Sequence, residues 1–312
     1  MRLATLVVEG VMRLAVIEGD EAFIPSLASS ILPQCAAIDQ SVLGTIRGGP
    51  ASLEALRRAF ESAADFKTQL KESGAILSVA SANFVAPLPE PGMVLAAGAN
   101  YHEHLKEMNA PAPATPMGFY KSVASIIGHG GTILRPPSNP DMLDWEGEFS
   151  IVIGKPCHNV SEAEALDYVF GYTIVNDVSA RDWVAPAFAA QGMIPTVVAW
   201  EHNILGKLFP TFCPMGPVIA TRDEISDPAN VKLETRLNGM VVQSANTSDL
   251  VFGTRQLISY YSRFLTFRPG DVITTGSPSG VGYGRNPKLF MKPGDVIEVE
   301  VEGIGTLRNT VR

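Results

Sequence analysis

The segment DWEGEFSIVIGK, residues 144–155, sets an apolar run, FSIVIG, directly behind two glutamates, Glu146 and Glu148. A run this short, bounded by glycine, reads as a buried β-strand. Alternate side chains of a strand point to the same face, so Glu146 and Glu148 lie side by side. Adjacent carboxylates repel one another and lose hydration on burial. A hard divalent cation with oxygen ligands relieves both costs. A second apolar run, GYTIVN (171–176), ends at Asp177, which is placed to supply a third oxygen. Two solvated glutamates at a strand mouth and an aspartate in a turn are the plainer reading of the same residues.

Outward from this stretch, the chain has 312 residues, 46% of them hydrophobic, enough for more than one domain. Charged residues make up 18%, below the usual figure of roughly one quarter, which fits a surface partly covered by a subunit interface. A net charge of −8 without a basic stripe argues against nucleic-acid and anionic-membrane partners. Cys35, Cys157 and Cys213 are scattered and form no C-x-x-C pair, so neither a zinc knuckle nor a disulfide framework is expected. The N-terminus lacks a signal-peptide pattern and no apolar run reaches membrane-spanning length, giving a cytoplasmic expectation.

Residues 2–8 and 11–17 read as a hairpin. Ser52 precedes a helical segment with Leu53, Leu56, Phe60, Ala63 and Leu70 on one face and Gly74 as its stop. The proline-rich VAPLPEPG (85–92) suits an extended linker. The expected division is a small N-terminal α+β domain over 1–84, the linker, and a catalytic domain over 93–312. From residue 93, short apolar strands alternate with Gly and Pro turns. Helices are few: one opened by a Ser161/Glu164 capping box and running through Tyr168, one over 254–265. This pattern predicts an α+β, β-rich protein with an antiparallel or mixed sheet rather than a doubly wound one.

In GANYHEHLKEM (98–108), His104 and Glu107 are three apart and share a face if the segment is helical. A histidine oriented by a carboxylate is suited to taking a proton from water; a surface pair is the alternative. Arg181, in NDVSARDW, is suited to clamping a substrate carboxylate, or to a salt bridge with Asp177 or Asp182. Lys121 and Lys207 read, taken singly, as solvated charges. ITTGSPSGVGYG (273–284) is a strand entering a small-residue turn, where Ser277 and nearby N–H groups can meet an anion. It is neither a P-loop nor a G-x-S-x-G elbow.

Together NYHEHLKEM, FYKSVASIIG, EGEFSIVIGK, GYTIVNDVSARDW, GKLFPTFCPMGP and TTGSPSGVG, in this order over residues 93–312, resemble the fumarylacetoacetate hydrolase family. Within it the chain resembles bacterial two-domain members of the acylpyruvase and 2-hydroxyhepta-2,4-diene-1,7-dioate isomerase-like group. The resemblance implies a mixed β-sandwich roll, usually a homodimer. It makes Glu146, Glu148 and Asp177 ligands of one Mg²⁺ or Mn²⁺ per subunit, and His104 with Glu107 the water-activating pair on a mobile lid. It places Lys207 near the reacting substrate oxygen and makes Lys121, Arg181 and Ser277 substrate contacts. The implied substrate is a small anionic 2-oxo or 2,4-dioxo acid, and the expected reaction is hydrolysis of its C–C bond through an enolate. Decarboxylation, hydroxydienoate isomerisation and sugar-acid dehydration use the same site. A non-catalytic metal-dependent binding protein is the reading from another class. Two departures stand out: GKLFP replaces the family's frequent GKSFD, and the stretch 183–206 is longer and more apolar than usual. Its Trp183, Phe188, Met193 and Trp200 fit a pocket wall for a bulky substrate, or an interface or core.

Overall fold

Residues 149–153 of the FSIVIG run lie in the strand Gly147–Ile153, every residue of which is buried in the computed structural model, which describes residues 1–312; Gly154 follows the strand. It is flanked antiparallel by Val169–Asn176 on one side and Val272–Thr274 on the other. Burial on both faces explains why the run is continuously apolar rather than alternating. Past Val272–Thr274 the sheet continues with Val94–Gly98, which is parallel, and Met117–Lys121, which is antiparallel. Past Val169–Asn176 it continues with Cys213–Thr221 and then Arg2–Val8. Twelve strands join this sheet, five form a second one, and a two-stranded ladder joins Leu143–Asp144 to Ser179–Ala180. The architecture is the expected β-rich α+β fold with mixed sheets.

The second sheet packs on one face of the first, and Phe149, Ile151 and Tyr172 share one core with Leu233, Val299 and Leu307. Phe149 and Tyr172 stack with ring centroids 4.9 Å apart. On the opposite face Val152 and Val175 join Leu14, Val16, Leu56 and Ala59 from the N-terminal region. This sandwich explains the glycine between the two glutamates. A Cβ at Gly147 would lie 2.4 Å from Thr235 Oγ1 and 2.8 Å from Val299 Cγ1, where the sheets approach. Gly147→Ala is therefore expected to destabilise the protein by about 1–3 kcal/mol, read as a lower thermal midpoint.

The N-terminal hairpin forms from Arg2–Val8 and Val11–Glu18, with Glu9 and Gly10 both at positive φ, as a two-residue primed turn requires. Its first strand pairs with Cys213–Thr221 through Leu3 and Ile219, so the N-terminal segment extends the main sheet. Within the proline-rich stretch, Leu88 is buried and Thr5 donates to the Pro87 carbonyl. The helix expected after Ser52 begins earlier, at Gly49 with Pro50 in its first turn, and runs to Ala63; a second helix spans Lys67–Glu72. Ser161 bonds Glu164 as expected, but only the 3₁₀ turn Ala165–Tyr168 follows. The later helix is Thr254–Ser262. The apolar stretch 183–206 forms two helices, Val184–Ala189 and Met193–Leu205. No residue of the second is buried, which corrects the core reading for Met193 and Trp200. All three cysteines are free and buried. No helix is long and apolar enough to cross a membrane.

Candidate metal centre and its acid–base pair

Strand alternation and a bridge between neighbouring strands place the three acids. Glu146 and Glu148 flank Gly147, which faces Asn176 across the ladder, and the Asp177 N–H donates to the Glu146 carbonyl. Carboxylate oxygens of Glu146, Glu148 and Asp177 lie within 4.8 Å of one another, and all three residues are buried.

Three cations surround them. Lys207 Nζ donates to Glu146 Oε2 at 2.7 Å, to Asp177 Oδ2 at 2.7 Å and to Ser179 Oγ at 2.8 Å. Lys121 Nζ, with no side-chain exposure, donates to Asp177 Oδ1 and to the Lys207 carbonyl, each at 2.5 Å. Arg181 Nη2 donates to Glu146 Oε1 at 2.5 Å, and its Nε to Asp144 Oδ2 at 2.8 Å. The partners of Arg181 are thus Asp144 and Glu146, not Asp177 or Asp182. Lys121 and Lys207 are buried in the site, which corrects the solvated reading of each lysine taken alone.

The charges are distributed unevenly among the acids. Burial pushes Glu146 up, but Lys207 and Arg181 outweigh it and hold the carboxyl well below its usual range. Burial, then Asp177 and Glu146, push Glu148 well above its usual value. Burial lowers the Lys207 ammonium, yet Asp177 and Glu146 reverse this and the net shift is upward. Glu148 Oε2 accepts one long bond, 3.2 Å, from the Gly276 N–H, and its Oε1 is buried with no partner. Gly276 makes that approach at a φ of +90°, where a side chain is strained.

These residues fit a divalent ion. An orphaned buried oxygen, converging carboxylates and a lysine ammonium already seated between two of them describe a site built for positive charge. Including Asp144, four carboxylates face three cations. A divalent ion would turn this cluster net positive, the sign an anionic substrate requires.

The His104–Glu107 pair forms on the short helix His102–Glu107. The chain turns into it at Ala99, whose φ is +51°, and Asn100 locks the turn through the Phe252 and Thr275 carbonyls. His104 Nδ1 and Glu107 Oε2 are 2.9 Å apart. Glu107 Oε1 accepts from the Gly280 N–H at 3.1 Å, so the far loop holds the carboxylate. His104 lies close enough to Glu146 to favour its ionised form. Ser277 is buried near Glu148 and receives a bond from Gln243 Nε2, while Gln243 Oε1 accepts from the Gly147 N–H.

Asp144, the first residue of the quoted segment, was given no role by sequence reasoning. It is fully buried and accepts from Arg181 Nε, from Gly282 N–H at 2.6 Å and from Tyr283 N–H at 3.0 Å. One carboxylate therefore ties the arginine on Glu146 to the loop that holds Glu107. Asp144→Asn is expected to lower turnover about 10–100-fold, with Mn²⁺ affinity measured alongside by calorimetry.

A β-sandwich with this buried acid triad beside a histidine–carboxylate pair defines a metal-dependent enzyme. The chain belongs to the fumarylacetoacetate hydrolase family: residues 93–312 match the family model for the fumarylacetoacetate hydrolase C-terminal domain. It is 41% identical over 263 residues to the human mitochondrial oxaloacetate tautomerase FAHD2B, covering 84% of this chain and 77% of that protein. The fumarylacetoacetate hydrolase of Exiguobacterium antarcticum shares 32% identity at a TM-score of 0.78, covering 100% of this chain and 99% of the other. The maleylpyruvate hydrolase of Sphingobium sp. SYK-6, solved with manganese(II) and pyruvate, shares 28% identity at a TM-score of 0.73, covering 100% and 98%.

Proposed function

We propose that this chain is a metal-dependent enzyme that enolises small 2-oxo acids, returning the proton as a keto–enol tautomerase. The carrying observation is the His104 ring, its Nδ1 held by Glu107 and its Nε2 left without a protein partner, next to the acid triad. A divalent ion such as Mg²⁺ or Mn²⁺, held by Glu146, Glu148 and Asp177, would supply Lewis acidity to the 2-oxo and carboxylate oxygens.

His104 Nε2 takes the proton from C3, Glu107 stabilises the imidazolium that forms, and the imidazolium returns that proton to the 2-oxo oxygen to complete the enol. Lys207 gives up one of its three bonds, to Glu146, Asp177 or Ser179, to donate to the enolate oxygen, with Lys121 holding Asp177 in place. Similarity to an oxaloacetate tautomerase supports this order of readings over the hydrolysis expected from sequence.

Hydrolysis of 2,4-dioxo acids is the second reading, favoured by whole-chain similarity to a hydrolase solved with pyruvate. There His104 takes a proton from water instead. The water oxygen joins C4, the C3–C4 bond breaks, and the products are a carboxylic acid and pyruvate.

The test follows enol absorbance of oxaloacetate and pyruvate release from acylpyruvates, with Mn²⁺ and with chelator. Metal-dependent decay of the enol supports tautomerisation; absence of both activities overturns the enzyme reading and favours a binding protein. We keep 85–92 as the proposed seam between a 1–84 module and the 93–312 catalytic unit, and the cytoplasm as the proposed location. The exposed Met193, Ile194 and Val197, at 77%, 65% and 59%, support a homodimer, which light scattering tests.

A further inference from the structure

The sheet face that carries Glu148 continues past it into two hydroxyls. Glu148 and Ser150 are two apart on the strand Gly147–Ile153 and point to one side of it. Ser150 is paired with Thr274 on the neighbouring strand Val272–Thr274, and paired residues of a ladder share a face. The next pair along that face is Val152 with Val272, both in the apolar core shared with the N-terminal region. The hydroxyls therefore lie between the acid triad and apolar carbon.

Ser150 and Thr274 are fully buried, and neither Ser150 Oγ nor Thr274 Oγ1 has a hydrogen-bond partner. Hydroxyls beside them are satisfied. Thr173, paired with Ser150 from the other side, donates to the Val218 carbonyl at 2.8 Å, and Thr275 donates to the Phe149 carbonyl at 2.8 Å. A buried hydroxyl without a partner is costly, and valine would suit either strand position without that cost. The acceptor to hand is Glu148. Its Oε1 is also buried without a partner, and the Thr274 side chain is near enough to favour the ionised carboxylate.

Three unpartnered polar atoms on one face describe a network that closes only when Glu148 is held as an anion, which is what a divalent ion on the triad would do. A charged carboxylate accepts a hydroxyl bond more strongly than a neutral acid. Gly276 N–H is already on Glu148 Oε2 at 3.2 Å, so Thr274 adds a side-chain donor to a backbone one. Ser150 stands opposite Thr274 with Cβ atoms roughly 4.5–5.5 Å apart, within reach of the threonine oxygen, and a bond there strengthens the threonine as a donor.

We propose that Thr274, backed by Ser150, is a positioning residue of the metal centre: its hydroxyl donates to Glu148 in the loaded protein and holds that carboxylate in its ligating orientation. This rests on the reading of Glu146, Glu148 and Asp177 as the ligands, and adds the side chains that orient one of them.

The experiment titrates the full chain, freed of metal with chelator and exchanged into buffer, with Mn²⁺ in a calorimeter, and records the thermal midpoint before and after loading. Thr274→Val is expected to raise the Mn²⁺ Kd about tenfold or more. Its metal-free midpoint is expected to hold or rise, because valine keeps the shape and removes a hydroxyl that has no partner. Thr274→Ser, which keeps the hydroxyl, is expected to recover most of the lost affinity. Ser150→Ala is expected to weaken Mn²⁺ binding by less than Thr274→Val. A packing role predicts otherwise: if Thr274→Val loses affinity and metal-free midpoint together, the proposal falls. It falls equally if Thr274→Val binds Mn²⁺ as wild type does, or if Thr274→Ser binds no better than Thr274→Val. Wild-type affinity in Ser150→Ala would strike Ser150 from it. Wild type without measurable Mn²⁺ affinity would overturn the ligand set, and the proposal with it.

Discussion

Replacing Glu148 by glutamine is expected to make the metal-free protein more stable to heat while reducing turnover roughly 10³-fold or more. The two effects have one cause. Glu148 is fully buried between Glu146 and Asp177, without a cation of its own, and one of its oxygens has no partner. Its folded pKa is raised above the usual 4.5 by burial first and by its two acidic neighbours second. Between 4.5 and that raised value the unfolded chain has released the proton and the folded chain keeps it, so stability falls as pH rises through the window. Glutamine fills the same space, never ionises, and can still accept from the Gly276 N–H, so the variant escapes this loss. What the variant avoids is the free energy of holding that proton, about 1.4 kcal/mol for each pH unit inside the window. Glu146 works in the opposite sense: Lys207 and Arg181 hold its pKa down against burial, so it stabilises above the usual carboxyl pKa of 4.5 and that contribution is lost as pH falls. The measurement is the thermal midpoint with chelator and with Mn²⁺, across pH. Wild type should gain from Mn²⁺, and the variant should show a higher metal-free midpoint and almost no gain. A variant that keeps the Mn²⁺ gain would remove Glu148 from the ligand set.

The two-residue spacing of Glu146 and Glu148 was readable because strand alternation is local: it needs only the apolar run behind them. Asp177 was readable for a similar reason, since it follows the end of a second run. The His104–Glu107 contact needed only a helical turn. The roles of the cations were less legible because they depend on pairs distant in sequence. Lys121 meets Asp177 and Arg181 meets Asp144 only after the sheet has assembled. Asp144 was overlooked because its partners at Gly282 and Tyr283 lie in a loop well over a hundred residues away. Local signals also competed: the helical segment reads as starting after Ser52, but Pro50, pre-set for a first helical turn, begins the helix sooner. The apolar stretch 183–206 shows the limit of composition. Apolarity states that a surface prefers cover, not which surface supplies it, and in this chain Phe188 lines a cavity while Met193 and Ile194 face outward.

Replacing His104 by asparagine is expected to lower turnover about 10²–10⁴-fold while leaving Mn²⁺ affinity essentially unchanged. Asparagine can keep the contact with Glu107, because its amide donates where Nδ1 does, so the helix His102–Glu107 and the Gly280 bond have no reason to move. What it lacks is a base at the position of Nε2. Glu107→Gln tests the other half of the pair. It keeps the Gly280 bond but cannot stabilise a protonated imidazole, and its expected cost is roughly 10²-fold. The double variant should be little worse than His104→Asn alone, because an orienting carboxylate has nothing to act on once the base is gone. Turnover is read on oxaloacetate and acylpyruvates, and metal affinity by calorimetry on the same samples. If His104→Asn instead loses Mn²⁺ while the thermal midpoint holds, the histidine belongs among the ligands and the proton must be handled elsewhere, with Lys207, bonded to Glu146 and Asp177, the candidate.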